Sequence, residues 1–375
     1  MEKSKTVRFL KDLPLSWICV LILVGILIAG LWPFTLFPQN RVEWLPSENG
    51  IRFYGRGLVY GVEDSLGMSS RAQSGDSLTV ELWLSPKMEP DRNLPVFLTI
   101  YDRHNFEAVT IGQWRSGLSL RSKNLGAPLQ FKEFGLENAL SAGERRLLAI
   151  TFDGSRTTVF MDGNLKRQYP SNPLSTLDKN AMRFVLGNSP NGRDSWVGDL
   201  FALALYNRSL SPDEVARNYE GWVGTGLPAV SVQEGLFGLF TFTEKSGDRA
   251  GNQIAPEGYF RIPRYFQPLQ KEILIPPWKE FQIKRSYLID MAVNILGFIP
   301  FGFFFSMWFA NSFGLSTYRA ILVTVFVSAV LSFSIELIQA WIPLRDSQVM
   351  DLLLNILGTA VGSLVFACSG KARRA

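Results

Sequence analysis

LLAITFDGSRTTVFMDGNLKRQY, residues 147–169, decides the architecture of the larger part of this chain. Leu148, Ile150 and Phe152 alternate with Ala149 and Thr151, Asp153-Gly154 turns the chain, Thr157–Met161 returns it, and Asp162-Gly163-Asn164 turns it again. A period of two with Asp-Gly at the turns marks antiparallel strands joined in hairpins, whose tight turns need positive φ. The two aspartates are therefore read as turn residues rather than metal ligands. Upstream, Leu78, Val80, Leu82 and Leu84 alternate in the same way with Thr79, Glu81 and Trp83. Short alternating runs of this kind recur over residues 41–256, which predicts an antiparallel β-sandwich. Ser211, Pro212 and Glu214 predict a helix start inside it, with Ser211 as N-cap and Glu214 three residues on.

Elsewhere the pattern changes. The chain has 375 residues, 47% hydrophobic and 19% charged. Its apolar residues gather in runs at 17–37, 289–309, 320–342 and 349–366. A bilayer core of about 30 Å needs about 20 residues of helix, so four transmembrane helices are expected. The first run is long and lacks a small-x-small cleavage site, so it reads as an uncleaved anchor. Lys3, Lys5, Arg8 and Lys11 precede it, and Lys371, Arg373 and Arg374 follow the last run. By the cation rule both ends, 1–16 and 371–375, are expected on the cytoplasmic side, with everything from 41 to 285 across the membrane. Lys279, Lys284 and Arg285 oppose the rule, which long translocated segments escape. Pro263, Pro268, Pro276 and Pro277 make 257–285 a stiff connector, and Trp278 and Phe281 suit a membrane interface. The net charge of +5 lies partly at the membrane flanks, where anionic lipid is its partner; it does not argue for nucleic acid. With only Cys19, Cys368 and His104, neither a disulfide framework, a His-based zinc site nor a Ser-His-Asp triad can be built. His104 reads as a loop residue.

The order and spacing of 147–169, FVLGN at 184–188 and WVGDLFALALYNRSLSPDEVARNY at 196–219 resemble the laminin-G-like, concanavalin A-like jelly-roll family. Gly198, Tyr206, Asn207, Leu210, Ser211, Glu214 and Val215 carry the match. Arg145 and Arg146 stand where that family often has two histidines. The resemblance implies a domain of a kind that binds carbohydrate or protein, in some members with calcium, although fold alone does not supply function. Trp114, Asn188 and Trp196 are the candidate glycan-binding residues. The acidic strand cluster of the related glucanases is absent from the sequence, so hydrolysis is not expected of this domain.

Asp290, Asn294, Ile295, Leu296 and Gly297 recur as Asp351, Asn355, Ile356, Leu357 and Gly358. A carboxylate and an amide four residues apart share one helix face, and polar groups at membrane depth face a bundle interior, a partner or a cavity. NILGFIPFGFF at 294–304, IELIQAWIPLRDS at 335–347 and MDLLLNILGTAVG at 350–362 together resemble the VanZ-like family. That resemblance implies a bacterial cytoplasmic-membrane protein, with residues 286–370 and the first span forming a four-helix bundle. The type member is associated with low-level teicoplanin resistance. The expected topology puts Asp290, Asn294, Glu336, Gln339, Arg345, Asp351 and Asn355 on the outer side. Three readings of these seven stay open. They satisfy one another as internal glue, with Gly297, Gly358 and Gly362 letting backbones approach. They hold the head group of a lipid or lipid-linked glycan, with the planar fork of Arg345 on phosphate. Or Glu336 or Asp351 acts as general base on a lipid-linked substrate. The expected role is recognition of an envelope or extracellular glycan, with scaffolding of envelope proteins as the alternative.

Overall fold

The computed structural model describes residues 14–62, 77–90, 94–102, 109–123, 131–177, 181–280 and 285–372. His104 lies outside them, as do the basic residues before position 12. Contacts divide the chain into two compact units, residues 37–270 on one side and the described parts of 1–36 and 271–375 on the other.

The 37–270 unit is built of two antiparallel sheets. One runs Val42–Trp44, Ile51–Tyr54, Val197–Tyr206, Leu78–Pro86, Arg146–Phe152, Thr157–Met161, Asn164–Tyr169, with Leu236–Phe240 also paired to Val197–Tyr206. The other runs Arg249–Gly251, Tyr259–Arg261, Val59–Gly61, Arg183–Leu186, Val96–Tyr101, Val109–Trp114, Gly117–Lys123, Phe131–Leu136. The alternating residues meet between them: Val80, Leu82, Leu148 and Ile150 from the first sheet share a core with Leu98, Ile100, Ile111 and Phe184 from the second. The Tyr259–Arg261 strand falls within the proline-rich stretch and is too short to show a period.

The outer face of the first sheet is also buried. Helix α2 (Pro212–Thr225) lies over it, and Leu147, Ala149, Phe160, Ala204 and Tyr206 pack against Val215 and Trp222 of the helix. (Helix α1, Leu15–Leu31, belongs to the other unit.) The α2 start is the predicted capping box. Ser211 Oγ accepts from Glu214 N, Glu214 accepts from Ser211 N at 2.8 Å, and Gly226 ends the helix at φ 73°. The Asp162-Gly163 turn has φ of 51° and 76°, as a tight hairpin requires. At Asp153-Gly154 the turn differs from expectation: Asp153 Oδ1 accepts from Ser155 N at 2.8 Å and Arg156 N at 2.7 Å. That side-chain turn closes the longer loop without a left-handed glycine.

Covering that outer face buries Glu81 completely. Its Oε1 accepts from Asn218 Nδ2 and its Oε2 from Trp222 Nε1, both at 2.9 Å. Burial pushes the Glu81 carboxyl up to about 7 despite those two bonds. A strand residue on the nominally wet side is thus the polar anchor of α2.

In the second unit, α1 is followed by the single turn α3 (Pro277–Glu280) and helices α4 (Arg285–Phe313), α5 (Thr317–Trp341) and α6 (Val349–Ala372). The last three are long and apolar enough to cross a membrane. The first is 17 residues long, about 26 Å of helix, bounded by Pro14 and Pro33, and so falls below that length; four spans were expected, and among the described residues three helices are long enough. It nonetheless packs with the others: Cys19 and Ile26 share a core with Phe298, Phe301, Phe305 and Ile335. Helices α4 and α6 approach most closely, because a Cβ on Gly302, Gly358 or Gly362 would sit 2.0 to 2.2 Å from a carbonyl of the facing helix. Gly297, expected in that role, faces open space and Gly302 takes its place.

Candidate functional site

The seven polar residues fall on α4, α5, α6 and the turn after α5. Asn294 Nδ2 on α4 donates to Asp351 Oδ1 on α6 at 2.7 Å. Four residues along α6, Asn355 Nδ2 donates to Ser332 Oγ on α5 at 2.9 Å. Glu336, only 1% exposed, accepts from the backbone N–H of Gln348 at 2.7 Å. Gln339 Nε2 and Arg345 Nη2 converge on one acceptor, Gly30 O near the end of α1, at 2.7 and 3.2 Å. Asp290 is exposed, one turn before Asn294. Six of the seven thus make hydrogen bonds within the helical unit, in four sets that reach α1, α4, α5 and α6.

Three buried atoms in that region have no protein hydrogen-bond partner among the described residues: Gln339 Oε1, Asn355 Oδ1 and Arg345 Nε. A buried polar atom left without a partner costs about 1–3 kcal/mol. Two acceptors and one donor, all on side chains already fixed by their other atoms, form a place where a polar group from outside the protein could bond.

The sequence reading missed several members of this region. Lys271 Nζ donates to Ile342 O, to Arg345 O at 2.7 Å and to Gln339 O at 3.5 Å, so a cation satisfies the carbonyls at the α5 C-terminus. Ser347 O accepts from Ile275 N at 2.8 Å, and Ser347 Oγ accepts from Leu274 N at 3.1 Å, which ties the 271–275 segment to the α5–α6 turn. No local pattern marks these contacts, since their partners lie about seventy residues away. A second omission was legible. Thr324, Ser328, Ser332 and Glu336 repeat every four residues on α5, as do Asp351, Asn355, Thr359 and Ser363 on α6. All but Asp351 are buried, and they form a seam with Ser306: Ser328 to Thr359 at 2.6 Å, Ser306 to Ser363 at 2.9 Å and to Thr324 at 3.2 Å.

The candidate glycan residues are dispersed. Trp196 is 1% exposed, its ring against Phe53 and Phe97 and its Nε1 donating to Gln113 Oε1 at 3.2 Å. Asn188 is fully buried, donating to Gly57 O and Ser195 Oγ and accepting from Ser189 N and Asp194 N. Both hold the interior and the 187–196 loop, so neither offers a face to a sugar. Trp114, 44% exposed, remains open to one. Among the described residues no three His, Cys, Asp or Glu side chains are grouped as metal ligands. Asp153 and Asp162, the acids nearest to a calcium-loop pattern, spend their oxygens on Ser155, Arg156, Arg146 and Leu147, so these residues do not fit a calcium ion.

Residues 237–369 match the VanZ/LLP1 family model, and residues 61–216 match that of the concanavalin A-like lectin/glucanases superfamily. No curated protein matches the chain. Among solved structures it is similar to the receptor binding domain of botulinum neurotoxin mosaic serotype C/D, at 11% identity and TM-score 0.37, covering 49% of this chain and 46% of that one. It is also similar to the botulinum neurotoxin serotype D ligand binding domain in complex with N-acetylneuraminic acid, at 12% identity and TM-score 0.37, covering 51% and 48%. The chain spans less than half the length of either. Each match covers less than half of the chain: the concanavalin A-like match falls within the antiparallel sandwich, and the VanZ/LLP1 match takes in the last sandwich strands and the three membrane-capable helices.

Proposed function

We propose that this is a bacterial cytoplasmic-membrane recognition protein whose helical unit holds the polar head of a lipid or lipid-linked glycan, while its sandwich binds an envelope or extracellular glycan. In this reading α1 completes a four-helix bundle, both termini are cytoplasmic, and the Glu336–Arg345 region faces the outer leaflet. The observation that carries it is the trio of partnerless buried atoms, Gln339 Oε1, Asn355 Oδ1 and Arg345 Nε. Internal glue alone leaves these three atoms without a partner, whereas a head group bearing both acceptor oxygens and donor hydroxyls or amines would fill all three. Arg345 keeps its Nε for an anionic oxygen, since only Nη2 is on Gly30 O.

The Ser306–Ser363 seam favours a second reading for the deeper half of the bundle. Hydroxyls there pair with one another and leave nothing for a ligand, which is the chemistry of helix association. The two readings separate in native mass spectrometry of the full-length protein and of Arg345→Ala in mild detergent. A particular lipid or lipid-linked saccharide retained by the wild type and lost from a folded variant supports recognition. Bulk phospholipid on both supports the scaffold, and the search then moves to protein partners.

A further inference from the structure

The sandwich holds a surface cavity of about 290 Å³ lined by Glu137, Asn138, Arg146, Asp162, Asn164 and Lys166, at the small end of ligand sites, which run from about 300 Å³ upward. Met161 and Ala139, 4% and 7% exposed, give it an apolar floor. On one wall Arg146 pairs through its terminal nitrogens with Asp162 at 2.7 Å and Glu144 at 2.6 Å, its buried Nε has no partner among the described residues, and Asp162 Oδ1 also accepts from Leu147 N. Two amides are each held by one end only. Asn138 Oδ1 accepts from Ser116 Oγ at 3.0 Å, and Asn164 Nδ2 donates to Asp162 O at 2.9 Å. No other hydrogen bond among the described residues engages Asn138 Nδ2 or Asn164 Oδ1, so one donor and one acceptor stand ready at fixed positions. The backbones that carry them are set by left-handed residues at Asn138, Asp162 and Gly163.

We propose that this cavity is a subsite for one neutral, hydroxyl-rich pyranose residue of a glycan. Its C–H face would lie on Met161 and Ala139, and its hydroxyls would accept from Asn138 Nδ2 and donate to Asn164 Oδ1. The lining carries the cations Arg146 and Lys166 against the carboxylates Glu137 and Asp162, so the site offers no net charge to an acidic sugar. Half-exposed Trp114 sits on the hairpin whose turn supplies Ser116 and can stack a neighbouring sugar unit. The inference rests on the reading of the sandwich as a glycan-binding domain.

The test uses full-length protein in mild detergent, an array of immobilised oligosaccharides, and saturation-transfer NMR with methyl glycosides of glucose, galactose, N-acetylglucosamine and glucuronic acid. A neutral glycoside is expected to bind the wild type and to bind Asn164→Ala about tenfold more weakly, the loss of one hydrogen bond. Asn138→Asp, which keeps the acceptor for Ser116 Oγ and removes the Nδ2 donor, serves as a second variant with the same expected direction, and unchanged thermal unfolding of both shows that the fold is intact. No saccharide bound by the wild type would overturn the glycan reading of the sandwich itself. Neutral sugar bound equally by wild type and both variants would leave that reading standing and overturn this site, and binding confined to the glucuronide would overturn the neutral class.

Discussion

Replacing Glu81 tests whether α2 is anchored by a buried carboxyl. Its oxygens accept from Asn218 and Trp222, and burial lifts its titration from an ordinary 4.5 to about 7. Between those values the folded state holds a proton that the unfolded chain has released. The Glu81 contribution to stability is therefore fully present below about 4.5, falls as pH rises, and is gone above about 7. At about 1.4 kcal/mol per pH unit the loss amounts to about 3 kcal/mol, a large part of the ~5–15 kcal/mol that holds a domain together. Asp199 adds no slope between pH 5 and 8, because its carboxyl is ionised there whether the chain is folded or not. The assay is urea unfolding of the full-length protein in detergent at pH 5 and pH 8, read by hydrogen exchange in residues 197–206 so that the sandwich alone reports. Wild type is expected to be about 3 kcal/mol more stable at pH 5. Glu81→Gln should lose that slope and be destabilised by about 1–3 kcal/mol at pH 5, since an amide accepts on one oxygen only and turns its N–H₂ toward one of the two donors. A flat wild-type profile, or a slope that survives in Glu81→Gln, refutes the reasoning.

Asp199, 1% exposed, receives Arg52 at 2.6 Å and Lys87 at 2.8 Å. Burial works to raise its carboxyl, but the hydrogen bonds from Arg52 and Lys87 prevail and hold it below the ordinary carboxylate range. Its stabilisation is thus present above that range and lost as pH falls through the depressed value. Asp199→Asn should cost about 3 kcal/mol, the low end for a broken buried pair because both cations are a third exposed, measured by the same unfolding assay at neutral pH. Gly302→Ala places a Cβ 2.0 Å from Thr359 O, so α4 and α6 must separate; a destabilisation of about 1–3 kcal/mol is expected in thermal melts followed by loss of helical signal. Cys368 is exposed and Cys19 buried in the described structure. An impermeant maleimide should label Cys368 only after membranes are opened; labelling in intact cells would reverse the proposed topology.

The sandwich was legible because a strand's period of two survives in Leu78–Pro86 and 147–169 whatever the rest of the chain does. Glu81 was not. Alternation places it toward water, and only the docking of α2, more than a hundred residues later, turns that face into a second core. Trp196 and Asn188 show the same limit: an aromatic or an amide near a loop reads as ligand-facing until its neighbours Phe53, Phe97, Gly57 and Ser195 are known. In the helical unit, apolar length located the helices and the Asp-x-x-x-Asn repeat located the polar end. Hydrogen bonds to Gly30, Lys271 and Ser347 were beyond reach because they join segments far apart in the chain. The Ser/Thr seam was within reach, since its four-residue spacing stands in α5 and α6 and needed only to be counted.

The most direct test is a density map of the full-length protein in lipid nanodiscs at a resolution that shows ordered water. The account predicts density within hydrogen-bond distance of Gln339 Oε1, Asn355 Oδ1 or Arg345 Nε that is continuous with a lipid chain or a saccharide. Isolated waters at all three atoms, or side chains rearranged to satisfy one another, would contradict it.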